Sequence, residues 1–343
     1  MDISRMMRIR ELMEIPGRFM PGPRNAITDV PSVRCAHKTV TGEGVCTGVT
    51  IISPCEGDIF LNPLPAAIVT GNGFGKLVGA LQVEELGEIE SLIGLTNTLS
   101  VAAVLQGLID YHAPMLPEEY KSINIVVGET NDGRLNDIKG CHIKPCHVAQ
   151  AIAELGEDVA EGSVGAGAGT VAFGYKGGIG TSSRVIPADV SGEGHDFTIG
   201  ALVQSNYGGN LTIYGKRMPK PPEIPVQENG SCMIVVVTDA PLSSRQLKRL
   251  ARRGLIGMTN TGSVMHHGSG DFAIAVGNHP ANRRGRGGCG KGYYYLADSQ
   301  LNPFFEACAD AVQEALYNSM TMAAGVGDFP TMVAGGALRF MFG

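Results

Sequence analysis

Gly268-Ser269-Gly270-Asp271 stands immediately before Phe272–Val276, a short run rich in apolar and β-branched residues that reads as a strand. As a bare motif GSGD is a turn. A serine that directly follows glycine at a strand start has a further chemistry open to it. If the backbone is strained, its hydroxyl can attack the preceding carbonyl to give an ester, which water opens to leave the serine as a new N-terminus. Glycine at the attacked carbonyl suits this, having no side chain and tolerating unusual dihedrals. The new α-amine, with a pKa of about 8, would titrate near working pH and serve as base for its own hydroxyl. His266 and His267 precede the bond and could help to protonate its leaving amide, but the chemistry does not require them and they read equally as loop residues.

Other constellations are weaker. GNGFGK, Gly71–Lys76, follows an apolar run and opens an expected helix, but its third glycine comes one position early for a dinucleotide fingerprint and no Ser or Thr follows the lysine. GAGAG at Gly165–Gly169 has the same fault, and both read as tight backbone packing. CHIKPCH brings Cys141, His142, Cys146 and His147 together, all possible zinc ligands, without the two-residue knuckle of a structural zinc site. Cysteines packed under a helix start are the expectation there, and no metal site. No GxSxG elbow leads into a helix.

Strands are expected at Ile123–Val127, Phe197–Val203, Leu211–Tyr214, Met233–Thr238 and Phe272–Val276, and helices at Lys76–Leu86, Leu99–Tyr111, His147–Leu155, Ser244–Arg253 and Pro303–Ala323. In the last helix Phe304, Cys308, Ala311 and Ala315 form an apolar stripe, with Asn318 inside it and Glu314 on its flank. The amide needs a partner, and the carboxylate can point into a half-buried space. Ser244–Arg253 carries five basic side chains and reads as a solvated face, while the Gly-rich basic stretch Asn282–Tyr295 reads as a surface loop or a lid.

The 343 residues include 33 acidic and 27 basic side chains, a net charge of −6, which gives no footprint for nucleic acid. No stretch of about 18 uninterrupted apolar residues and no signal-peptide pattern occurs, so a cytoplasmic protein without membrane association is expected. The 8 dispersed cysteines are expected as free thiols.

Seven segments in order make the chain recognisable: NAITDVPSV (25–33), TGVTII (47–52), LTNT (95–98), GETNDGRLND (128–137), GAGAGT with KGGIGTSSR (165–184), LVQSNYG (202–208) and HGSGDFAIA (267–275). Over nearly its whole length the chain resembles the self-processing aminopeptidases of the L-aminopeptidase/D-esterase and β-peptidyl aminopeptidase group, peptidase family S58. The resemblance implies an α/β, four-layer αββα sandwich like that of N-terminal-nucleophile hydrolases, differently connected. It implies one catalytic domain, cut between Gly268 and Ser269 into an α chain of residues 1–268 and a β chain of residues 269–343, acting without metal or organic cofactor. Ser269 is then the nucleophile, Asn206 the oxyanion donor and Glu314 an acid beside the nucleophile. Glu129 becomes the anion that receives the substrate's amino group, with Asn131 beside it where some relatives carry an aromatic hydroxyl. Val312 stands where some members have a hydroxyl residue. Substrates are expected to be short peptides, amides or esters with a free amino group, and the enzyme a homo-oligomer. The alternatives are an acyltransferase of the ornithine-acetyltransferase type, against which the serine argues because those relatives expose threonine, and an uncleaved scaffold of the same fold.

Overall fold

The run Cys232–Val237 points its side chains alternately into two apolar layers, and this alternation organises the fold. Cys232, Ile234 and Val236 face a helical layer, while Met233, Val235 and Val237 face a second sheet. A strand buried on both faces reads as a continuous apolar run, as this one does.

The computed structural model describes residues 6–221, 229–283, 285–286, 292–327 and 329–332. Its strands are β1 Arg34–Gly42, β2 Val45–Ser53, β3 Leu64–Gly73, β4 Leu77–Val78, β5 Glu88–Ile89, β6 Ile93–Asn97, β7 Val126–Thr130, β8 Val171–Ala172, β9 Tyr175–Lys176, β10 Gly178–Ile186, β11 Phe197–Asn206, β12 Thr212–Ile213, β13 Lys216–Arg217, β14 Gly230–Thr238 and β15 Ser269–Gly277. The α-helices are α1 Ile9–Leu12, α2 Ala80–Leu86, α3 Val101–His112, α4 Pro145–Ala153, α5 Ala188–Ser191, α6 Ser244–Asn260 and α7 Asn302–Thr321.

One sheet has the order β10-β11-β14-β15-β3-β5, the other β1-β2-β6-β7-β4. In the first, β14 runs parallel to β15, and in the second β6 runs parallel to β7. Parallel neighbours need a crossover, which α6 and α3 supply. The core between the sheets includes Ile52, Leu95, Val126, Leu202, Met233 and Ile274. Leu250, Phe304, Cys308, Ala311 and Ala315 of α6 and α7 cover the outer face of the larger sheet, and Val104, Leu108, Val148 and Ala151 of α3 and α4 cover that of the smaller. The layers are helices, sheet, sheet, helices, as the family resemblance implies. Among the described residues no helix is long and apolar enough to cross a membrane.

The expected helix at Lys76–Leu86 is corrected at its start. Leu77 and Val78 pair with β7, Gly79 takes φ +81°, and the helix begins only at Ala80. The basic residues of α6 lie on a solvated face, as expected, and four of the five also have partners: Arg245 and Arg249 pair with Asp298, Lys248 with Glu84, and Arg253 lies 3.8 Å from the Phe305 ring centroid. Of the Asn282–Tyr295 stretch, residues 284 and 287–291 lie outside the described residues.

The expected stripe of α7 is buried, and Asn318 finds its partners in the Ile9 N–H and the Thr181 carbonyl, both at 3.0 Å. Glu314 departs from expectation. It is fully buried, accepting Arg10 Nε at 3.0 Å and Nη2 at 2.7 Å, Arg184 Nη2 at 2.7 Å and Asn25 Nδ2 at 2.7 Å. Burial alone would raise its pKa, but the Arg10 hydrogen bond, the charges of Arg184 and Arg10 and the Asn25 amide outweigh burial and hold it below the ordinary value.

Two stability predictions follow from these contacts. A Cβ on Gly180 would lie 1.9 Å from the Ala315 carbonyl oxygen, so Gly180→Ala is expected to force α7 off β10 and cost about 1–3 kcal/mol in thermal or chemical denaturation. An unchanged midpoint would mean that the helix can shift freely. Glu314→Ala leaves Arg184 buried and unpaired, and is expected to cost about 3–5 kcal/mol at pH 7. Because the folded pKa lies below the unfolded one, the contribution of Glu314 is present at neutral pH and lost as acid titrates the carboxyl below its ordinary 4.5. The gap between variant and wild type should therefore narrow in acid; a gap independent of pH would rule out the ion pairs as its source.

Candidate active site

Three neighbouring strand ends of the larger sheet converge at one edge. β11 ends at Asn206, which lies opposite Ser231 of the antiparallel β14, and Gly230 at the start of β14 lies beside Ser269 at the start of the parallel β15. From the facing sheet, β7 ends at this edge with Glu129 and Thr130, followed by Asn131. Between them opens a cavity of about 440 Å³, walled by Thr98, Glu129 and Asn131 on one side and by Asn206, Ser231 and Gly268 on the other. Phe74 and Lys76, from the turn between β3 and β4, close it laterally.

Hydrogen bonds fix the orientation of each polar wall. Asn206 Oδ1 accepts the Val171 N–H at 3.0 Å, which leaves Nδ2 as the donor, and Nδ2 donates to Ser231 Oγ at 3.2 Å. The same Ser231 hydroxyl accepts the Asn131 N–H at 3.1 Å, tying the two sheets together at the cavity floor. The Glu129 carboxylate is 3% exposed and accepts the Lys76 N–H at 2.9 Å and the Thr98 hydroxyl, with Lys76 Nζ at 3.9 Å. It is an anion positioned at the rim of a half-enclosed space, where an ammonium group can be desolvated against it.

The Gly268–Ser269 bond sits in a tight turn. Ser269 N–H donates to the His266 carbonyl at 2.9 Å, and the Asn72 side chain donates to the carbonyls of His266 at 3.1 Å, of His267 at 3.0 Å and of Ser269. The Gly268 carbonyl accepts the Gly230 N–H at 3.3 Å. A side chain at 268 is impossible without rearrangement, because its Cβ would meet Asn229 Oδ1 at 2.0 Å. Gly268 lines the cavity, while the Ser269 hydroxyl is buried and donates to Asp271 Oδ1 at 2.9 Å. Asp271 is fully buried, and burial pushes its carboxyl up to about 6, against the smaller opposing effect of the Ser269 hydrogen bond.

Of the residues expected from the sequence, Gly268, Ser269, Asn206, Glu129 and Asn131 meet at this edge. Asn131 takes part through its backbone N–H, its side-chain oxygen being occupied by the Gly133 N–H at 3.0 Å. Glu314 does not join them. Its partner Arg184 lies on β10, three strand spacings or about 14 Å from β15 at ~4.8 Å each. The expectation that Glu314 adjoins the nucleophile is thus corrected: its carboxylate is drawn to the guanidinium groups of Arg10 on α1 and Arg184 on β10. His266 and His267 contribute carbonyls to the turn, and the His267 ring lies 5.9 Å from that of Phe74. In CHIKPCH the expectation of cysteines packed under a helix start is corrected, since Cys141 and Cys146 are exposed, and His142 contacts Asp137 at 3.2 Å; among the described residues no group of three or more His, Cys, Asp or Glu is arranged to hold a metal ion. Sequence reasoning gave no role at this site to Asn72, Phe74 and Lys76, which it read as tight backbone packing in GNGFGK, nor to Ser231 and Asp271. Only Asp271 left a usable signal, since residues two apart at a strand start share a face.

The model of peptidase family S58 matches residues 25–332. A β-peptidyl aminopeptidase, BapA of Sphingosinicella xenopeptidilytica, is 37% identical over 91% of this chain and 84% of its own length. Among solved structures, the PH0078 protein of Pyrococcus horikoshii OT3 superposes with a TM-score of 0.89 at 40% identity, covering 98% of this chain and 99% of its own. The L-aminopeptidase D-Ala-esterase/amidase of Ochrobactrum anthropi, described as a prototype serine aminopeptidase with a variant of the Ntn-hydrolase fold, superposes with a TM-score of 0.86 at 32% identity over 98% of both chains. With a serine at the head of a strand, an amide donor and a buried carboxylate at one sheet edge, the chain belongs to peptidase family S58 and is a serine aminopeptidase of the N-terminal-nucleophile type.

Proposed function

We propose that residues 1–343 form one catalytic unit that cuts itself between Gly268 and Ser269 and then removes N-terminal residues from short peptides, amides or esters. The observation that carries this reading is the meeting of Gly268, Asn206 and Glu129 around one cavity, with Ser269 next in the chain at the head of β15. Glu129 receives the free amino group of the substrate, which orients the scissile carbonyl toward the head of β15. The Ser269 α-amine, freed by the cut, takes the proton of its own hydroxyl as Oγ attacks. Asn206 Nδ2 stabilises the charge on the tetrahedral oxygen, a role worth about 3–4 kcal/mol in comparable sites. Asn131 holds the Ser231 hydroxyl against the Asn206 amide and so sets the donor's direction. The amine protonates the leaving group, and water resolves the acyl-enzyme by the reverse sequence. Every step is carried by protein side chains and the new terminus. The names of the relatives, covering β-peptides, L-amino acid substrates and D-Ala esters and amides, support a substrate defined by its amino end. We place this activity in a cytoplasmic homo-oligomer.

Denaturing mass spectrometry of freshly purified protein tests the cut. Wild type is expected as two pieces divided after Gly268 and Ser269→Ala as one intact, folded, inactive chain. One intact chain in both would refute self-processing and leave an uncut scaffold as the reading. Glu129→Gln is expected to lower kcat/KM for amino-acid p-nitroanilides by about 10- to 100-fold, the worth of a charge-assisted contact of roughly 1.5–3 kcal/mol, mostly through KM. If instead the variant preferred free-amine over N-acetylated substrates as strongly as wild type does, the carboxylate would not be the amine's partner.

A further inference from the structure

The cavity at the sheet edge carries a charge that the proposed mechanism leaves unused. Arg134, in the turn after β7 and three residues beyond Asn131, lines it together with Glu129. Resting on the aminopeptidase reading above, we propose that Arg134 binds the C-terminal carboxylate of the substrate, so that the site selects peptides of two or three residues with both termini free.

The acids nearest to Arg134 in the chain are engaged elsewhere. Glu129 accepts the Lys76 N–H and the Thr98 hydroxyl, Asp132 is buried against the Thr47 hydroxyl at 2.6 Å and the Asn136 amide at 3.0 Å, and Asp137 contacts His142 at 3.2 Å. Among the described residues no carboxylate lies against the Arg134 guanidinium, which is exposed and sits over the Phe329 ring, 5.4 Å from its centroid. The charged side chains lining the cavity are Lys76, Glu129 and Arg134. Lys76 Nζ stands 3.9 Å from Glu129, so those two are near neutrality and Arg134 is the excess charge. A substrate amine that docks on Glu129 brings a third cation to a space holding one anion. A zwitterion brings the balancing anion with it, and each of its ends then meets an opposite charge.

Arginine suits this task. Its planar fork donates two parallel N–H bonds to a carboxylate, and a guanidinium laid over an aromatic face keeps its edge available for them. The face is itself anchored: the Phe329 N–H donates to the Val326 carbonyl at 3.2 Å, and the carbonyl of Pro330 accepts the Lys176 N–H at 2.8 Å, which ties the segment to β9. Size sets the length of the ligand. A volume of about 440 Å³ is that of a sphere about 9 Å across, and an extended chain covers about 3.3–3.6 Å per residue, so two or three residues span it. With its amine on Glu129 and its carboxylate on Arg134, both carried by β7 and the turn after it, a short peptide turns its first peptide bond toward Asn206 and Gly268 on the facing wall.

The test compares a dipeptide with its own C-terminal amide on freshly purified wild type, the N-terminal residue being the one cleaved fastest in a p-nitroanilide panel. The two substrates share a scissile bond and differ in the carboxylate alone. Wild type is expected to favour the free acid by about tenfold in kcat/KM, mainly through KM, and Arg134→Gln to bring the ratio to about one, with Arg134→Lys between them. Lys76→Gln, which removes the other cation, is expected to keep the preference. Aspartyl and glutamyl p-nitroanilides carry a side-chain carboxylate and none at the C-terminus, and are expected to gain nothing over the alanyl compound from Arg134. A wild-type ratio below about threefold overturns the assignment without recourse to any variant. So does a preference that survives Arg134→Gln or vanishes with Lys76→Gln. A preference for the acidic p-nitroanilides that Arg134→Gln abolishes would transfer the contact to the substrate's side chain and overturn the C-terminal assignment. Wild type that cleaves no free-amine substrate overturns the aminopeptidase reading itself, whereas equal cleavage of acid and amide overturns only the carboxylate site.

Discussion

The parallel pairing of β14 with β15 is the constraint on which the rest of the site depends. Were β15 antiparallel to β14, its last residue and not Ser269 would stand beside Gly230. The crossover through α6 carries the chain back to the edge from which β14 starts, and the antiparallel β11 delivers Asn206 to the same edge. The facing sheet repeats the device. There α3 returns the chain so that β7 runs beside β6, and its last residues, Glu129 and Thr130, arrive beside Thr96 and Asn97. Two crossover helices therefore do more than cover apolar strands. They decide which strand ends meet, and the strand ends carry the chemistry, as is usual where loops and termini project from a rigid sheet.

Three carboxylates show how environment divides one kind of side chain among different roles. Glu314 is saturated by two arginines and an amide, and such a charge can do little except hold α1, β10 and α7 together. Glu129 is bound by a backbone N–H, a hydroxyl and a distant ammonium, while keeping a cavity at its rim. Among the described residues, Asp271 has one hydroxyl partner and no cation. The fewer the compensating partners of a buried acid, the more its ionisation responds to a neighbouring reaction, which is why incompletely paired acids mark reactive places.

Local features were legible in the sequence. The stripe of α7 and the need of Asn318 for partners follow from a 100° step, and GSGD marks its strand start by the adjacency of four residues. The family resemblance supplied Asn206 and Glu129, which no local rule distinguishes from turn and surface residues. The error over Glu314 has a definite origin. Its partners Arg10, Asn25 and Arg184 lie 304, 289 and 130 residues away, and no periodicity reports such contacts. The helix expected from Lys76 failed because a pairing of Leu77 with Gly128 and of Val78 with Val127 on β7 outweighed a local pattern that Gly79 already interrupted. β10 went unseen because KGGIGTSSR lacks the bulk of an ordinary strand. It is glycine-rich because α7 lies directly upon it, with the Ala315 carbonyl where a Gly180 side chain would be.

β15 lies in the interior of the larger sheet, between β14 and β3, and α7 from the same C-terminal stretch closes the helical layer above it. A chain severed at the head of that strand would keep its smaller piece as an interior plank of the sheet rather than as an appendage. The pieces could part only by opening the main core, so dissociation and global unfolding would be one event. Reassembly would then be a second-order encounter between two incomplete polypeptides with exposed strand edges, in competition with aggregation. Such a molecule would owe its persistence to a high barrier against unfolding rather than to a reversible equilibrium, and its lifetime would be read as a rate.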